Sequence, residues 1–148
     1  MAAPKGNTYW QLVKNWKVGA DPAYTPEGLW VKAIEYFEWA DNNPYTSKAA
    51  SAGKSVGVSK RRPYTLGAFC IYANICENTF RNYRENEAYM QVTTRIDQII
   101  YTQKFEGAMI GEFNPNIVAR DLGLVEKQEV KQDNTITTIR FGSEDEEL

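Results

Sequence analysis

The segment that most constrains the fold is residues 66–85, LGAFCIYANICENTFRNYRE. Thr65 is a good helix N-cap, and the apolar run after it predicts a helix over residues 66–73. Asn74 is a residue type that tolerates the left-handed backbone conformation, which a tight turn between two helices requires. We therefore predict two short helices joined by a turn at Asn74, with Ile75 as the buried turn residue, rather than one amphipathic helix.

The second of these helices has two unlike sides. At about 100° of rotation per residue, Phe80 and Tyr83 are expected to face the first helix. The residues roughly opposite Phe80 are polar: Asn78, Arg81, Asn82 and Glu85. Asn and Arg can bond base edges in the major groove, so this side predicts a DNA contact, although Glu85 would repel phosphate. The open alternative is an ordinary helical hairpin whose polar side is solvated.

The charges of the chain are unevenly distributed. A net charge of −2 and an isoelectric point near 5.3 argue against a uniformly basic nucleic-acid binder. Residues 42–76, however, contain no Asp or Glu and carry Lys48, Lys54, Lys60, Arg61 and Arg62. Because phosphate neutralisation supplies most of the non-specific affinity for DNA, this basic middle favours the DNA interpretation. The side chains expected to touch phosphate are Thr65, Thr79 and Arg84.

Several kinds of catalytic site lack their usual residues. The chain has no histidine, which excludes Ser-His and Cys-His nucleophile pairs and histidine zinc sites. The spacing of Cys70 and Cys76 fits neither a zinc knuckle nor a redox pair, and we expect both to be small buried residues. AGKS, residues 52–55, resembles the end of a phosphate-binding loop, but the required earlier glycine is Lys48 and no apolar strand precedes it. We predict that the chain is not an enzyme and has no cofactor or metal.

The chain also lacks the usual signals for a membrane. No stretch approaches the roughly 20 apolar residues that span a bilayer. The first ten residues, MAAPKGNTYW, lack the apolar region of a signal peptide. We therefore expect a cytoplasmic protein without a membrane partner.

The segment 24–44, YTPEGLWVKAIEYFEWADNNP, predicts the first long helix. Thr25 suits the N-cap and Pro26 suits the first helical position. The apolar stripe expected to be buried is Leu29, Ala33, Ile34, Phe37 and Ala40. Residues 44–64, which follow, are rich in Ser, Gly and Lys and are predicted to form a mobile loop, with an exposed hairpin as the alternative.

The segment 86–113, NEAYMQVTTRIDQIIYTQKFEGAMIGEF, predicts a long helix that is apolar on two sides. One stripe contains Tyr89, Val92, Ile96, Ile99, Ile100, Gly107 and Ile110. The other side contains Tyr101, Phe105, Ala108 and Met109. Since a helix with two apolar sides needs two partners, we expect this second side, together with Gly107 and Gly111, to contact another subunit. The alternative is a central core helix in a monomer.

The remaining residues predict a short helix, a hairpin and a tail. Asn114 suits the N-cap of the helix, Pro115 its first position and Gly123 its end. Residues 125–142 predict a β-hairpin, which is expected to pair with the same hairpin of neighbouring subunits because a lone hairpin is marginal in water. Residues 143–148, SEDEEL, form an acidic tail. The chain thus divides into a helical DNA-binding region, 1–86, an oligomerisation region, 87–124, the hairpin and the tail.

Three segments together resemble one protein family. They are EYFEWADNNP at residues 35–44, RPYTLGAFCIYANICENTFRNYRE at 62–85 and TQKFEGAMIGEFNPNIVARDLGL at 102–124. The third is the most specific, since no general rule of helix formation explains so uncommon a string. These segments are similar to the small terminase subunits of tailed bacteriophages, a family of DNA-packaging proteins.

This resemblance implies a fold and a function. The fold is mainly α, with a helix-turn-helix DNA-binding head, a long pair of oligomerisation helices and a short C-terminal β-hairpin. The function is that of a non-catalytic subunit that forms a ring, binds double-stranded viral DNA and passes it to the large terminase subunit. The DNA-binding residues expected from pattern and resemblance together are Lys60, Arg61, Arg62, Thr65, Asn78, Thr79, Arg81, Asn82 and Arg84. The open alternative is a helix-turn-helix transcription regulator that acts as a dimer on a palindrome.

Overall fold

The computed structural model describes residues 8–19 and 21–125, and this part of the chain is mainly helical, as predicted. In chain order its elements are a 3-10 helix, Tyr9–Val13; α1, Pro26–Asn42; β1, Tyr45–Ser51; β2, Lys54–Lys60; α2, Leu66–Ala73; α3, Glu77–Glu85; a 3-10 turn, Glu87–Tyr89; α4, Met90–Met109; and α5, Pro115–Asp121.

Side-chain caps confirm three predicted helix starts. The Thr25 hydroxyl accepts a hydrogen bond from the Gly28 amide at 3.0 Å, and the Thr65 hydroxyl accepts one from the Ala68 amide at 3.1 Å. The side-chain oxygen of Asn114 accepts from two amides of α5, at 3.0 and 3.2 Å. These caps satisfy N–H groups that have no partner inside the first turn, so the local sequence fixes where α1, α2 and α5 begin.

The buried side of α1 differs from the predicted stripe: Ile34 is exposed, Phe37 is only partly buried, and Tyr36 is buried although it was not assigned to the stripe. The side chains it buries are Leu29, Ala33, Tyr36 and Ala40. Ile34, which the spacing assigned to this side, is exposed, so that assignment is wrong. Tyr36 can be fully buried because its hydroxyl accepts from the Thr65 amide at 3.2 Å and donates to the Thr65 carbonyl at 3.4 Å, which removes most of the cost of burying a polar group.

The two short helices and their turn are confirmed. Asn74 ends α2 with φ 59° and ψ 40°, in the left-handed region, and its amide donates to the carbonyls of the last turn. Ile75 is buried in the turn, and Phe80 of α3 is fully buried. Cys70 is buried as predicted, and burial raises the pKa of its thiol to about 12. Cys76, also predicted to be buried, is exposed at the N-cap of α3, so that prediction is wrong.

One hydrophobic core joins α1, α2, α3 and part of α4. Phe69 lies at its centre, with its ring centroid 5.7 Å from that of Tyr36 and 5.8 Å from that of Phe80, which it meets edge to face. Ile96 of α4 is fully buried against the same cluster. Because these rings bury large areas in defined geometries, they fix the orientation of α3 in the fold.

Residues 45–60 form an antiparallel hairpin, which confirms the alternative and shows that the predicted loop is wrong. β1 pairs with β2 from Tyr45 opposite Lys60 to Ser51 opposite Lys54. The two turn residues, Ala52 and Gly53, both have positive φ, 51° and 76°, as a type I′ turn requires. AGKS therefore lies at the tip of a hairpin and runs into a strand, whereas a phosphate-binding loop must lead into a helix.

The end of α4 corrects the assignment of one glycine. The chain folds back after α4 so that Phe113 covers Gly107, where an added Cβ would collide with the Phe113 ring. Gly107 therefore packs against its own chain and is not available to another subunit. Gly111 lies beyond the last residue of α4 with φ +77°, which the turn there requires, and it is exposed, so its contact with another subunit stays a prediction.

The predicted C-terminal hairpin, residues 125–142, and the acidic tail, 143–148, lie outside the described residues from position 126 onward. The two-stranded sheet of the described chain is the one at residues 45–60. The division into DNA-binding and oligomerisation regions is a functional one and stays a prediction. Among the described helices, none is long and apolar enough to cross a membrane.

Candidate nucleic-acid interface

The outward side of α3 carries exposed polar side chains, as its sequence predicts. Asn78, Arg81 and Asn82 are all exposed. Within the described residues, none of these three side chains forms a hydrogen bond or an ion pair. Thr79, which precedes the buried Phe80, is half-buried. Amide and guanidinium groups that are held on a fixed helix and have no partner among the described residues have the chemistry of a base-edge or phosphate contact.

Arg84 lies on a different side of α3 and contacts α4. Its Nε donates to Asp97 Oδ2 at 2.8 Å, and its Nη2 donates to Asp97 Oδ1 at 2.7 Å. Its guanidinium also lies over the Phe80 ring, 4.8 Å from the centroid. The hydrogen bonds to Asp97 raise the pKa of Arg84 above its already high value. Arg84 therefore holds α3 on α4, although the sequence assigned it to phosphate.

The basic run at residues 60–62 divides into exposed and buried members. Lys60 and Arg61 are exposed at the base of the hairpin, and the Arg61 amide donates to Glu112 Oε1 at 3.0 Å. Arg62, by contrast, is 2% exposed. Burial keeps its guanidinium away from any surface that DNA could approach, so the assignment of Arg62 to DNA binding is corrected. The Thr65 hydroxyl caps α2 by accepting from the Ala68 amide, and its assignment to a phosphate contact stays a prediction.

Aromatic rings and oxygens surround the buried Arg62. Its Nε donates to the Asn43 carbonyl at 2.7 Å, and its Nη1 donates to the Tyr9 hydroxyl at 3.0 Å. The centre of the guanidinium lies 5.3 Å from the Tyr9 ring, 5.0 Å from Trp39 and 4.1 Å from Tyr45. These contacts tie the 3-10 helix, α1 and β1 to the residues just before α2. Arg62 thus positions the hairpin and the first helix of the pair.

α4 and α5 each expose apolar side chains. Tyr101 and Phe105 are 42% and 37% exposed, with their rings stacked 5.9 Å apart and 15° from parallel. Met109 is 71% exposed at the end of α4, and Ile117 of α5 is 66% exposed. Ala108, the remaining predicted oligomerisation residue on this side, is half-buried. Tyr101, Phe105 and Met109 lie on one side of α4 by their helical spacing, and exposed apolar side chains on one side of a helix are typical of a surface that binds another protein.

Comparison with known proteins identifies the family. The family model described as "DNA-packaging protein gp3" matches residues 19–130. The chain is also 40% identical, over 136 residues, to the small terminase subunit of Salmonella phage P22, a match that covers 88% of this chain and 83% of that protein. The chain belongs to this DNA-packaging family. The resemblance carried by residues 35–44, 62–85 and 102–124 is therefore confirmed.

The described part of this terminase-family chain contains no cluster of three His, Cys, Asp or Glu side chains that could hold a metal ion. The tyrosines whose pKa values are raised most have a structural role. The pKa of Tyr64 is raised by burial and by its hydrogen bond to Asp41, at 2.6 Å, and burial also raises the pKa of Tyr45, to about 12. Both tyrosines lie next to the segment that positions α2, and they stay neutral at physiological pH.

Sequence reasoning missed the aromatic surroundings of Arg62 in this family member. Arg61 and Arg62 are adjacent and of the same type, so composition and spacing cannot tell which one is buried. Three aromatic residues surround Arg62: Tyr9 before α1, Trp39 near the end of α1, and Tyr45 at the start of β1. Their presence in the sequence was the one sign that an arginine is buried among aromatic rings. Their convergence on Arg62 depends on contacts between residues far apart in the chain.

Proposed function

We propose that this chain is a non-catalytic, oligomeric DNA-recognition subunit of a phage terminase, which initiates viral genome packaging and regulates the large terminase subunit. The observation that carries the proposal is the outward side of α3, whose Asn78, Arg81 and Asn82 are exposed and have no partner within the described residues. Membership of the DNA-packaging family supports it.

The proposed DNA contact follows from how α3 is held. Phe80 anchors its inward side in the core, and Arg84 fixes it to Asp97 of α4. A helix that is rigid from behind can present short polar side chains to a groove without losing much conformational entropy on binding. With α2 across the backbone, α3 would enter the major groove as a recognition helix, and Arg81 would supply its charge.

The proposed assembly rests on the apolar surface of α4 and α5. Tyr101, Phe105 and Met109 are exposed on α4, and Ile117 is exposed on α5. Burying this surface between copies would remove apolar area from water, which stabilises the assembly by roughly 25 cal/mol for each Å². One short recognition helix makes few base contacts, so several copies on one DNA would gain affinity by avidity while sequence preference stays weak.

The proposed partners are double-stranded viral DNA, other copies of this chain and the large terminase subunit, in the cytoplasm of the infected host. We assign chemistry to the large subunit, because this sequence has no histidine for a histidine-based catalytic site and its AGKS lies at a hairpin tip rather than in a phosphate-binding loop. Recognition and catalysis would then be divided between the two subunits.

Fluorescence anisotropy with a labelled DNA duplex tests the α3 contact. Arg81→Ala is expected to weaken binding about tenfold, since a specific arginine contact contributes about 1–3 kcal/mol. The slope of log affinity against log salt concentration should become shallower by about 0.9 for each phosphate contact that the variant loses. Arg95→Ala, which removes an exposed arginine of α4, is the matched control. No binding by the unmodified protein, or equal binding by the Arg81 variant, would overturn the proposal.

A further inference from the structure

The hairpin of β1 and β2 stands apart from the hydrophobic core. None of the core residues comes from these two strands. Every residue of β2 is exposed, and Val56 remains 50% exposed even though it is apolar. Among the described elements, the strands pack extensively only on each other. Apart from Tyr45 at its base, which packs on Arg62, the ribbon contributes nothing to the core and has no evident role in stabilising the fold.

The hairpin is also the most uniformly basic element of the described chain. Residues 45–60 contain Lys48, Lys54 and Lys60 and no acidic residue, and Arg61 follows directly. By comparison, α3 and the turn after it contain two arginines and the three acids Glu77, Glu85 and Glu87. Since phosphate neutralisation dominates affinity for DNA, the hairpin is better suited than α3 to bind the backbone.

The pairing register places the lysines on both sides of the ribbon. Every second residue of a strand lies on the same face of the ribbon, so Lys54 and Lys60 share one face with Val56 and Val58. Lys60 lies at the base of the ribbon, opposite Tyr45, and Lys54 lies six residues away at the tip. Lys48 pairs with Gly57 on the other side. At roughly 3.3 Å per residue, the lysines are spread along about 20 Å.

We propose that this hairpin is a second DNA-binding element, which lies in a groove of duplex DNA and contacts the phosphates on both sides of that groove. The proposal rests on the proposed function and names a contact surface that α3 does not provide. The major groove, about 12 Å wide, admits a two-stranded ribbon, and the long lysine side chains of the ribbon can reach the phosphate backbones that border the groove.

The other side chains of the ribbon fit the same partner. Apart from the lysines, Tyr45 and the two valines, the hairpin consists of Ser, Thr, Ala and Gly. Small side chains keep the ribbon slender, and hydroxyl groups can donate to phosphate oxygens. The exposed Val56 and Val58 can contact thymine methyl groups in the major groove, where they would lose their exposure to water.

Contacts at its base hold the hairpin in a defined position relative to α2. The Tyr45 ring lies 4.1 Å from the buried guanidinium of Arg62, and the Arg61 amide donates to Glu112 Oε1 at 3.0 Å. Thr65 caps α2 only three residues after Arg62. The ribbon and the helix pair are thus joined through a short, buried connection, so both can engage one DNA molecule at a fixed spacing.

Anisotropy measurements on the full-length protein with a labelled duplex, over a range of salt concentrations, test the hairpin. Lys48→Ala with Lys54→Ala should weaken binding roughly tenfold and reduce the salt slope by about 1.8, or 0.9 for each phosphate contact. Lys48→Arg with Lys54→Arg should restore both quantities. Lys14→Ala with Lys17→Ala is the matched control, because it removes the same charge from another exposed segment.

The outcomes separate this inference from the proposed function. If the unmodified protein binds DNA but the hairpin alanine variant keeps its affinity and slope, the hairpin inference is overturned. An equal loss in the Lys14 and Lys17 control would also overturn it, because net charge rather than position would then matter. If light scattering shows that the hairpin variant loses subunits while each subunit binds DNA as before, the hairpin is a contact between copies and the inference is overturned. Loss of affinity in the hairpin variant without loss in Arg81→Ala supports the hairpin and removes α3 from the proposed function.

Discussion

Arg84 and Asp97 face each other across the contact between α3 and α4, joined by two parallel hydrogen bonds of 2.8 and 2.7 Å. The pair connects the proposed recognition helix to the helix that carries the proposed assembly surface. An arginine fork on a carboxylate fixes direction as well as distance. Together with the buried Phe80, this pair fixes the orientation of α3. Under the proposed function, Arg84 would act on DNA binding through the position of its helix.

Arg84→Ala is expected to lower the free energy of unfolding by about 1 kcal/mol, since partly exposed ion pairs contribute about 0.2–1 kcal/mol and Arg84 also covers the Phe80 ring. A double-mutant cycle with Asp97→Ala, followed by urea denaturation, measures the coupling. The salt slope of DNA binding should stay unchanged in Arg84→Ala. A slope reduced as much as in Arg81→Ala would make Arg84 a direct phosphate contact.

Arg62→Lys is expected to lower the free energy of unfolding by about 2–4 kcal/mol, because an ammonium cannot reproduce the hydrogen bonds to Asn43 and Tyr9 and would be left poorly paired in a buried site. Arg61→Lys is the matched control, one residue away and exposed, and should change stability by less than about 0.5 kcal/mol. Urea denaturation compares the two. Equal stability of both variants would contradict the buried role of Arg62.

Gly107→Ala is expected to destabilise the chain by about 1–3 kcal/mol, because the new methyl group would overlap the Phe113 ring. Combining it with Phe113→Ala should make the glycine substitution nearly neutral. Gly57→Ala is the control, since an added Cβ there would lie 3.9 Å from Thr46 Cγ2, an ordinary contact. Thermal unfolding with each pair of variants checks the prediction; an unchanged cost in the Phe113 variant would show that another neighbour is responsible.

Stability should fall between about pH 10 and pH 12. Burial raises the pKa of Tyr36 from 10.0 to about 12. Below pH 10 both states keep the proton and the contribution of Tyr36 is complete; above it the unfolded state deprotonates first, so the free energy of unfolding falls by about 1.4 kcal/mol per pH unit for this group.

Tyr36→Phe should reduce the slope of the unfolding free energy against pH by the amount that one proton contributes. Tyr101→Phe, at an exposed site, should leave that slope unchanged. Tyr45, whose pKa is also raised to about 12, and Tyr64, whose pKa is raised as well, would add to the slope above pH 10, and Cys70, whose pKa is raised from 9.0 to about 12, would add to it from about pH 9. Urea denaturation at a series of pH values measures it. The same slope in Tyr36→Phe as in the unmodified protein would assign the pH dependence to other groups.

The features that the sequence predicted correctly are those governed by neighbouring residues. Thr65 caps α2, Asn74 takes the left-handed turn and Phe80 is buried, because each depends on chemistry within a few positions. The errors concern residues that meet across the chain. Arg62 contacts Tyr9, 53 positions away, and Arg84 contacts Asp97, 13 positions away, so neither pairing can be inferred from spacing along one helix.

Residues 45–60 illustrate an intermediate case. Their Ser, Gly and Lys content is typical of a loop, and the alternation around Val56 and Val58 was the only local sign of strands. The hairpin forms because Ala52 and Gly53 adopt the positive φ values of a tight turn. Alanine is not a residue that usually marks such a turn, which is why composition favoured a loop.

The proposed function depends most on assembly of several copies through the apolar surface of α4 and α5. Such an assembly would place several DNA-binding heads on one duplex. Light scattering on the purified full-length protein at micromolar concentration tests it most directly. We predict a particle of more than two 16.9 kDa chains. The double variant Phe105→Glu with Met109→Glu should dissociate this particle and keep the circular dichroism of a helical protein. The control variant Val31→Glu should leave the particle intact. A folded monomer, or a variant with the same mass as the unmodified protein, would contradict this assembly.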